Sequence, residues 1–359
     1  MYRLVLIIGI FCLTIAFAAE TNDIQPYYPL EESSSLQGVC IPSRINIASS
    51  WDFFIKGGFL YWNAKKDANE YALSTTQPLN NPPVGSRALR PKALWKPGLK
   101  IALGGTINRD AWTVEAQWTY LLGKAHGASN APRQGYLMPL HISALSRLAH
   151  PGAQNISTHW KVYYHTADLF IGKPYYLSSW VVLNPICGFR GAWIKDKLRT
   201  QLTAITETGA VAINTLTETF NQRMWYLGPR VGINTNWLLG YGARVFTDFA
   251  GAILFANGRL SKRATSTNYA STLGYANNEV LDLRAKKRNA LRTNFNAAFG
   301  FAWGTYFDEQ NWYIDLLVGY QFNYWNDYLS GISSTQENFN TNSGSLYLHG
   351  LTSTIRLDF

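Results

Sequence analysis

The stretch YLHGLTSTIRLDF, residues 347–359, alternates between a mostly apolar and a mostly polar face up to its last residue. A period of two indicates a β-strand with one buried or lipid-facing side. One face carries Phe359, Leu357, Ile355, Ser353, Leu351, His349 and Tyr347, and the other carries Asp358, Arg356, Thr354, Thr352, Gly350 and Leu348. An unpaired strand edge is not stable in lipid, so a strand of this kind favours a closed membrane barrel. We expect Phe359 to lie on the lipid face and to close the barrel against the first strand.

Nine further stretches show the same alternation with differing clarity, and together they predict an all-β chain with one transmembrane antiparallel barrel of about ten strands, within a range of 10–12. The run at 159–173 alternates poorly, which leaves its register open. Pro185 and Pro229 fall inside two of the strands, where we expect local bulges. The predicted strands are 53–65, 96–107, 111–122, 159–173, 180–194, 223–237, 241–255, 291–307, 312–325 and 347–359.

The connections between these strands alternate between long and short. Long connections are predicted at 66–95, 123–158, 195–222, 256–290 and 326–345. Outer-membrane barrels have long extracellular loops and short periplasmic turns, so this alternation favours a barrel with both termini in the periplasm. The Thr-rich run 201–220 could also extend two strands beyond the membrane.

The composition agrees with strands in lipid. Of the 359 residues 14% are aromatic and only 15% are charged, and the mean hydropathy is −0.12. Past the N-terminus no apolar run reaches 18 residues, which argues against a transmembrane helix. Composition alone fits a secreted all-β domain equally well, and it is the alternation of the connections that favours the barrel.

The N-terminus is predicted to be a signal peptide, residues 1–18. Arg3 gives a positive start, LVLIIGIFCLTIA gives an apolar core, and Ala16-Phe17-Ala18 gives a cleavage site. We expect a periplasmic segment at 19–50 and the barrel at 51–359. Cys40 and Cys187 are too few for a disulfide framework, and we expect them to lie too far apart to pair. Cys40 could then cross-link a neighbouring chain.

Several of these stretches resemble the Legionella-type major outer membrane proteins, a family of pore-forming barrels that also occurs in Chlamydia-like bacteria. The similar stretches occur in the family's order and span most of the chain after residue 50. The resemblance implies an outer-membrane barrel with a pore function and names no solute. The stretches are FLYWNAKKDANEYAL, PGLKIALGG with RDAWTVEAQWTYL, ADLFIGKPYY with NPICGFRGAWI, YLGPRVGINTNW, FNAAFGFAWG with LLVGYQFNYW, and GLTSTIRLDF.

The polar strand faces define the predicted lumen, where small inward residues such as Gly104, Gly188 and Gly304 would leave room for a path. Asp358 also faces inward, which gives seven basic against four acidic residues. Two interpretations remain: a narrow water-filled pore with a mild anion preference, or paired charges that brace a plugged barrel. The predicted pore-lining residues are Lys56, Lys100, Glu115, Arg190, Arg230, Arg244, Asp248, Arg292, Asp315 and Arg356.

The fourth long connection is the most basic segment. Its basic side chains could clamp lipopolysaccharide phosphates, or they could be solvated loop residues. The formal net charge is +10, but the export signal argues against nucleic-acid binding. The candidate lipopolysaccharide contacts are Lys262, Arg263, Arg284, Lys286, Lys287 and Arg288.

Histidines are the first place to look for an enzyme. His126, His141 and His150 share one long connection, but no Asp or Glu occurs between residues 124 and 158 to complete an acid/base pair. Their spacing matches no metal-ligand pattern. We therefore expect no enzymatic activity, no metal and no cofactor.

These observations predict a protein of the Gram-negative outer membrane. The predicted function is passive diffusion of small hydrophilic solutes. The alternative is an abundant structural barrel with a plugged lumen that binds lipopolysaccharide or a host surface. Expected partners are outer-membrane lipid and lipopolysaccharide, the barrel-assembly machinery through the C-terminal strand, and a second copy of the chain as a homo-oligomer.

Overall fold

A computed structural model of the protein describes residues 53–67, 69–76, 85–107, 112–133, 135–140, 152–207, 210–269, 281–308, 311–330, 333–334, 339–340 and 343–359. All of them belong to one compact unit, Ile41–Phe359. The predicted signal peptide, the segment 19–50 and Cys40 lie outside the described residues. No described segment is a helix long and apolar enough to cross a membrane.

The described residues form strands of very different length. The strands are β1 (Phe53–Lys66), β2 (Ala72–Thr75), β3 (Arg87–Leu89), β4 (Lys92–Ile107), β5 (Trp112–Asn130), β6 (Tyr136–Pro139), β7 (Gly152–Gly172), β8 (Tyr175–Ser178), β9 (Val181–Glu207), β10 (Ala210–Gly240), β11 (Ala243–Tyr269), β12 (Leu281–Phe307), β13 (Trp312–Ser330), β14 (Ser333–Ser334), β15 (Phe339–Asn340) and β16 (Ser343–Asp358).

The ten long strands form one closed antiparallel barrel. Around the ring their order is β1, β4, β5, β7, β9, β10, β11, β12, β13 and β16. Closure occurs at β1, where Phe54 is opposite Gly104 of β4 on one side and Asp358 of β16 on the other. The backbone N–H of Phe359 donates to the carbonyl oxygen of Phe53 at 3.0 Å, next to this seam. The prediction of a single barrel of about ten strands is confirmed.

The two ends of the barrel differ, and we name them by their connections. The turn end carries short connections and both Phe53 and Phe359. One of its turns passes through Gly240, Tyr241 and Gly242, all with positive φ, which glycine adopts at little cost. The loop end carries the other connections, including β2, β3 and β6, which pair beside the loop-end part of β7.

The strands at the loop end are longer than the ten predicted ranges, and the extension suggested by the Thr-rich run 201–220 is present in β9 and β10. β9 and β10 stay paired from Val181 opposite Trp237 to Glu207 opposite Ala210, so most of the predicted loop 195–222 is strand. Most of the predicted loop 256–290 also belongs to β11 and β12. These segments lack an apolar outward face because they extend past the lipid. Their alternation is therefore weak in the sequence.

The two strand prolines do not produce the predicted bulges. Pro229 lies opposite Phe189 and Pro185 opposite Ile233, without a register shift at either place. Between β10 and β11 the pairing stops at Leu227 and resumes in the same register at Arg230. Pro185 lies past Ile186, the last β9 residue paired with β7. A missing N–H is tolerated at both prolines because the backbone pairing with the neighbouring strand is interrupted or has ended there.

The outward face of the barrel is apolar between two rows of exposed aromatic residues. This is the pattern of a lipid-facing band bounded by two interfaces. The loop-end aromatic row contains Tyr61, Trp95, Trp118, Tyr163, Trp193 and Trp225, and the turn-end aromatic row contains Trp180, Tyr241, Trp303, Trp312 and Phe359.

Candidate functional site in the barrel lumen

A polar cavity of about 280 Å³ occupies the turn-end half of the lumen, and we call it the vestibule. A deeper cavity of about 120 Å³ adjoins it and shares Lys56, Lys100, Glu115 and Asp248 as lining residues. Seven charged side chains line the vestibule, four basic and three acidic, a net of +1. They are Lys56, Lys100, Glu115, Arg244, Asp248, Asp315 and Arg356.

Many of these charges meet a partner within the lumen. Lys56 forms an ion pair with Glu115 at 2.6 Å, and the guanidinium of Arg356 binds Asp358 at 2.6 Å. Lys100 of β4 donates to Gln321 of β13 at 2.9 Å, past the two strands between them. Arg244 pairs with Asp315 at 2.5 Å. The pairs leave the vestibule wall polar but close to electrically neutral.

A buried cluster around Asp168 lies at the inner end of the deeper cavity. Arg190 donates from Nε and Nη2 to the two carboxylate oxygens of Asp168 at 2.6 and 2.7 Å, and Arg230 lies 3.2 Å from the same carboxylate. Arg190 also reaches Asn294 and Asn296 of β12, a strand three positions away around the ring. Arg190 and Asp168 are almost fully buried, at 2% and 3% exposure. The cluster braces the lumen with a two-to-one excess of positive charge.

Nine of the ten predicted pore-lining residues line one or both cavities; Arg292 instead lies nearer the loop end and pairs with Asp327. Asp168 was missed because the alternation of the 159–173 run is poor in the sequence. β7 nonetheless alternates regularly in the structure, with Tyr164, Thr166 and Asp168 inward. The Arg-Asp pairing therefore reduces the basic excess that the sequence count gave.

The inward glycines do not leave open space as expected. A Cβ on Gly304 would lie 2.0 Å from the Tyr313 hydroxyl, and one on Gly104 would lie 2.2 Å from the Phe54 ring. A Cβ on Gly188 would meet the backbone of Leu169 and Phe170. These glycines accommodate neighbouring rings and backbone against the barrel wall.

The loop-end half of the lumen is filled by buried apolar side chains, which we call the apolar layer. Trp325 of β13 packs edge-on against Tyr164 of β7 at 5.8 Å and Tyr226 of β10 at 5.2 Å, so its ring reaches across the barrel. The largest members are no more than 2% exposed. The layer contains Leu60, Trp62, Ala64, Leu121, Ala125, Trp160, Val162, Tyr164, Ala192, Ile194, Met224, Tyr226, Ala252, Leu254, Ala256, Trp325, Tyr328, Leu346 and Leu348.

One buried carboxylate ties this layer together. Asp196 of β9 accepts from the Trp160 indole N–H at 2.8 Å and pairs with Lys66 of β1 at 3.2 Å. β1 and β9 lie four positions apart around the ring, so this pair also crosses the lumen. A buried charge is tolerated when it is paired and hydrogen-bonded, and removal of either partner is costly.

The predicted lipopolysaccharide contacts divide into three groups. Lys262 does not reach the outer surface, because it faces inward and pairs with Glu218 at 2.9 Å; this prediction is corrected. Arg263 and Arg284 are exposed and both bind Asp282. The hydrogen bond from Arg284, with a second from Arg263, lowers the pKa of Asp282. The side chains of Lys286, Lys287 and Arg288 lie outside the described residues.

The histidines and the cysteines are the other candidate residues that the sequence analysis considered. The rings of His126 and His159 stack at 6.5 Å on the outer surface, while His141 and His150 lie outside the described residues. Among the described residues no three His, Cys, Asp or Glu side chains group as metal ligands. Cys187 lies on the outward face of β9, as expected, opposite Val231.

A closed ten-stranded barrel with an apolar outward band, two aromatic rows and a charged interior defines a transmembrane protein of the outer-membrane type. The sequence comparison agrees with this class. The model of the Legionella pneumophila major outer membrane protein precursor matches residues 45–359, and the chain belongs to this family of outer membrane proteins. None of the curated protein sequences is significantly similar to the chain.

Solved structures of other outer-membrane proteins are similar over much of their length. The outer membrane protease OmpT from Escherichia coli is 10% identical, with a TM-score of 0.32, and the match covers 86% of this chain and 96% of OmpT. A Pseudomonas aeruginosa FadL homologue is 8% identical, with a TM-score of 0.26 and coverage of 86% and 90%.

Proposed function

We propose that the protein is a passive channel of low conductance for small hydrophilic solutes in the outer membrane. The observation that carries this function is the vestibule, a charged cavity of about 280 Å³ inside a closed barrel. A polar lumen within an apolar wall lowers the barrier for a hydrated solute, and the charges on its wall set which ions enter. With four basic and three acidic lining residues, the vestibule favours anions only slightly.

The apolar layer limits this conductance. A solute that enters from the turn end meets Trp325, Tyr164 and Tyr226, which are packed across its path. Passage requires these rings to move, and hydrophobic constrictions of this kind also close when water leaves them. The channel therefore conducts through brief openings of the layer.

A second function is favoured by the same layer. If the layer stays closed, the barrel acts as an abundant structural protein that presents its loop end to lipid or to a host surface. The second cluster at the loop end favours this function, because Tyr71, Leu137, Ile156, Leu202 and Leu216 form part of a further apolar core beyond the lumen. Two successive apolar clusters would then separate the vestibule from the outside.

We assign the chain no enzymatic activity, metal or cofactor. For partners we propose outer-membrane lipid and the barrel-assembly machinery, which would engage β16 at the seam with β1. A homo-oligomer is a further proposal, and the two aromatic rows leave broad apolar surface between them for a second copy in the bilayer.

Single-channel recording with folded protein in planar bilayers tests the channel. Stepwise currents of small size support it, and their reversal potential under a salt gradient should show a slight anion preference. The absence of steps from protein that is demonstrably folded would favour the structural barrel instead. Salt should weaken the selectivity, because the Debye length falls to about 3 Å at 1 M.

A further inference from the structure

Six basic side chains form two rows on the outward face of the barrel at its loop end. We call these six residues the basic ladder. It spans five neighbouring strands. The first row is Lys124 of β5, Lys161 of β7 and Lys197 of β9, and the second is Lys195 of β9, Arg223 of β10 and Arg259 of β11.

The register places like charges directly opposite each other. Lys161 lies opposite both Lys124 and Lys197, and Arg223 lies opposite both Lys195 and Arg259. Such pairs destabilise a sheet unless something of opposite charge lies between them. Among the outward side chains that the structure describes on these five strands, none is an Asp or a Glu. The charge that would balance the ladder must therefore come from outside these strands.

The ladder lies next to the loop-end aromatic row. Lys195 is two residues from Trp193, Arg223 is two from Trp225, and Lys161 is two from Tyr163, a rise of about 7 Å in each case. Trp193 and Trp225 are opposite each other in the β9–β10 register. Trp and Tyr mark the boundary between the acyl chains and the headgroups. The ladder is thus at the height where lipid phosphates lie.

We propose that the basic ladder binds the phosphate groups of a phosphorylated lipid in the leaflet at the loop end. Neighbouring strands lie about 4.8 Å apart, so two side chains from adjacent strands can bind one phosphate. Arg223 and Arg259 supply the planar donors that bind phosphate oxygens in pairs. This site differs from the basic segment that the sequence suggested. It requires that the barrel spans the membrane with its loop end at the lipid headgroups. It does not require that the barrel conducts.

A binding measurement with a matched control tests this site. The full chain in zwitterionic detergent micelles is titrated with bisphosphorylated lipid A and with its dephosphorylated form. A basic residue near an anionic surface contributes roughly a fivefold change in affinity, so Lys195→Ser with Arg223→Ser should weaken binding of the phosphorylated lipid about 25-fold. The control is Lys65→Ser with Arg133→Ser, which removes one Lys and one Arg that are exposed outside the ladder.

Each outcome is decisive, provided that both variants run as folded protein on a heat-modifiability gel. A loss confined to the ladder variant supports the site. An equal loss in the control would mean that net charge alone attracts the lipid, which overturns it. Equal binding of the two lipid forms by the unaltered protein would also overturn it. Full competition by equimolar inorganic phosphate would show an anion site with no lipid component, which overturns the proposed lipid site.

Discussion

The turn-end and loop-end halves of the lumen share the same ten strands but have different interiors. On β10, Arg230 and Asn234 face the turn-end cavities, whereas Tyr226 and Met224 belong to the apolar layer. β13 changes in the same way, from Gln321 at the vestibule to Trp325 in the layer. Between Asn234 and Tyr226 on β10, and between Gln321 and Trp325 on β13, the outward faces stay apolar.

This difference shows that the outward and the inward residues of one alternating strand control two separate properties of the barrel. The outward residues make the barrel compatible with lipid, and the inward residues decide whether the lumen holds water. An apolar inward residue does not disturb the fold, because the ladder of backbone hydrogen bonds is the same in both halves. Permeability can therefore vary among barrels of one architecture.

The largest effect is expected from Trp325→Ala, which removes the ring that spans the apolar layer. Loss of a buried Trp side chain costs about 3–5 kcal/mol of unfolding free energy and leaves a cavity in the layer. We expect a lower unfolding midpoint in urea together with larger single-channel steps. Trp303→Ala is the control, since Trp303 faces lipid at the turn end. If both variants conduct like the unaltered protein, the layer does not limit conductance.

A somewhat smaller effect is expected from Asp168→Asn, which uncharges the partner of Arg190 and Arg230. Breaking a buried ion pair costs about 3–5 kcal/mol, and we expect the lower end because the amide oxygen still accepts from Arg190. Urea unfolding monitored by gel mobility measures the change. Asp248→Asn, in the vestibule wall, should cost clearly less. Equal losses would show that the ion pairs of Asp168 add no more to stability than the vestibule carboxylate of Asp248 does.

Selectivity should change moderately with Arg244→Ser. The vestibule carries four basic and three acidic lining residues, so removal of one basic residue takes its net charge from +1 to zero. We expect the slight anion preference to disappear from the reversal potential. Lys65→Ser, on the outer surface, should leave the reversal potential unchanged. A strongly cation-selective unaltered protein would contradict the inward charge count.

The smallest effect concerns pH at the loop end. The folded-state pKa of Asp282 is lowered, first by the hydrogen bond from Arg284 and then by Arg263. Its stabilisation is therefore present above the unfolded pKa of about 4 and is lost as the pH falls through the lowered value. Because Asp282 is exposed, thermal unfolding should show only a slight extra loss in acid, absent in Asp282→Asn. An unchanged acid response in that variant would exclude this contribution.

The sequence predicted the fold because lipid demands an apolar outward face. The alternation around Phe295, Phe299 and Phe301 marks β12, and a weak pattern at 159–173 hid the inward Asp168. The extension at 195–200 was predicted as loop because water imposes no such alternation on its outward face, whereas the Thr-rich run 201–220 was expected to extend two strands. The apolar layer could not be predicted from any single strand, since Trp325, Tyr164 and Tyr226 meet only after the barrel closes.

Cysteine accessibility tests the contrast between the two halves most directly. In a chain with Cys40→Ser and Cys187→Ser, one new cysteine is placed in the vestibule as Asn234→Cys and another in the apolar layer as Leu254→Cys. We predict that a small water-soluble thiol reagent modifies the first rapidly and the second far more slowly in the folded barrel, while both react alike after unfolding. Equal rates in the folded barrel would contradict a lumen that is wet at the turn end and closed at the loop end.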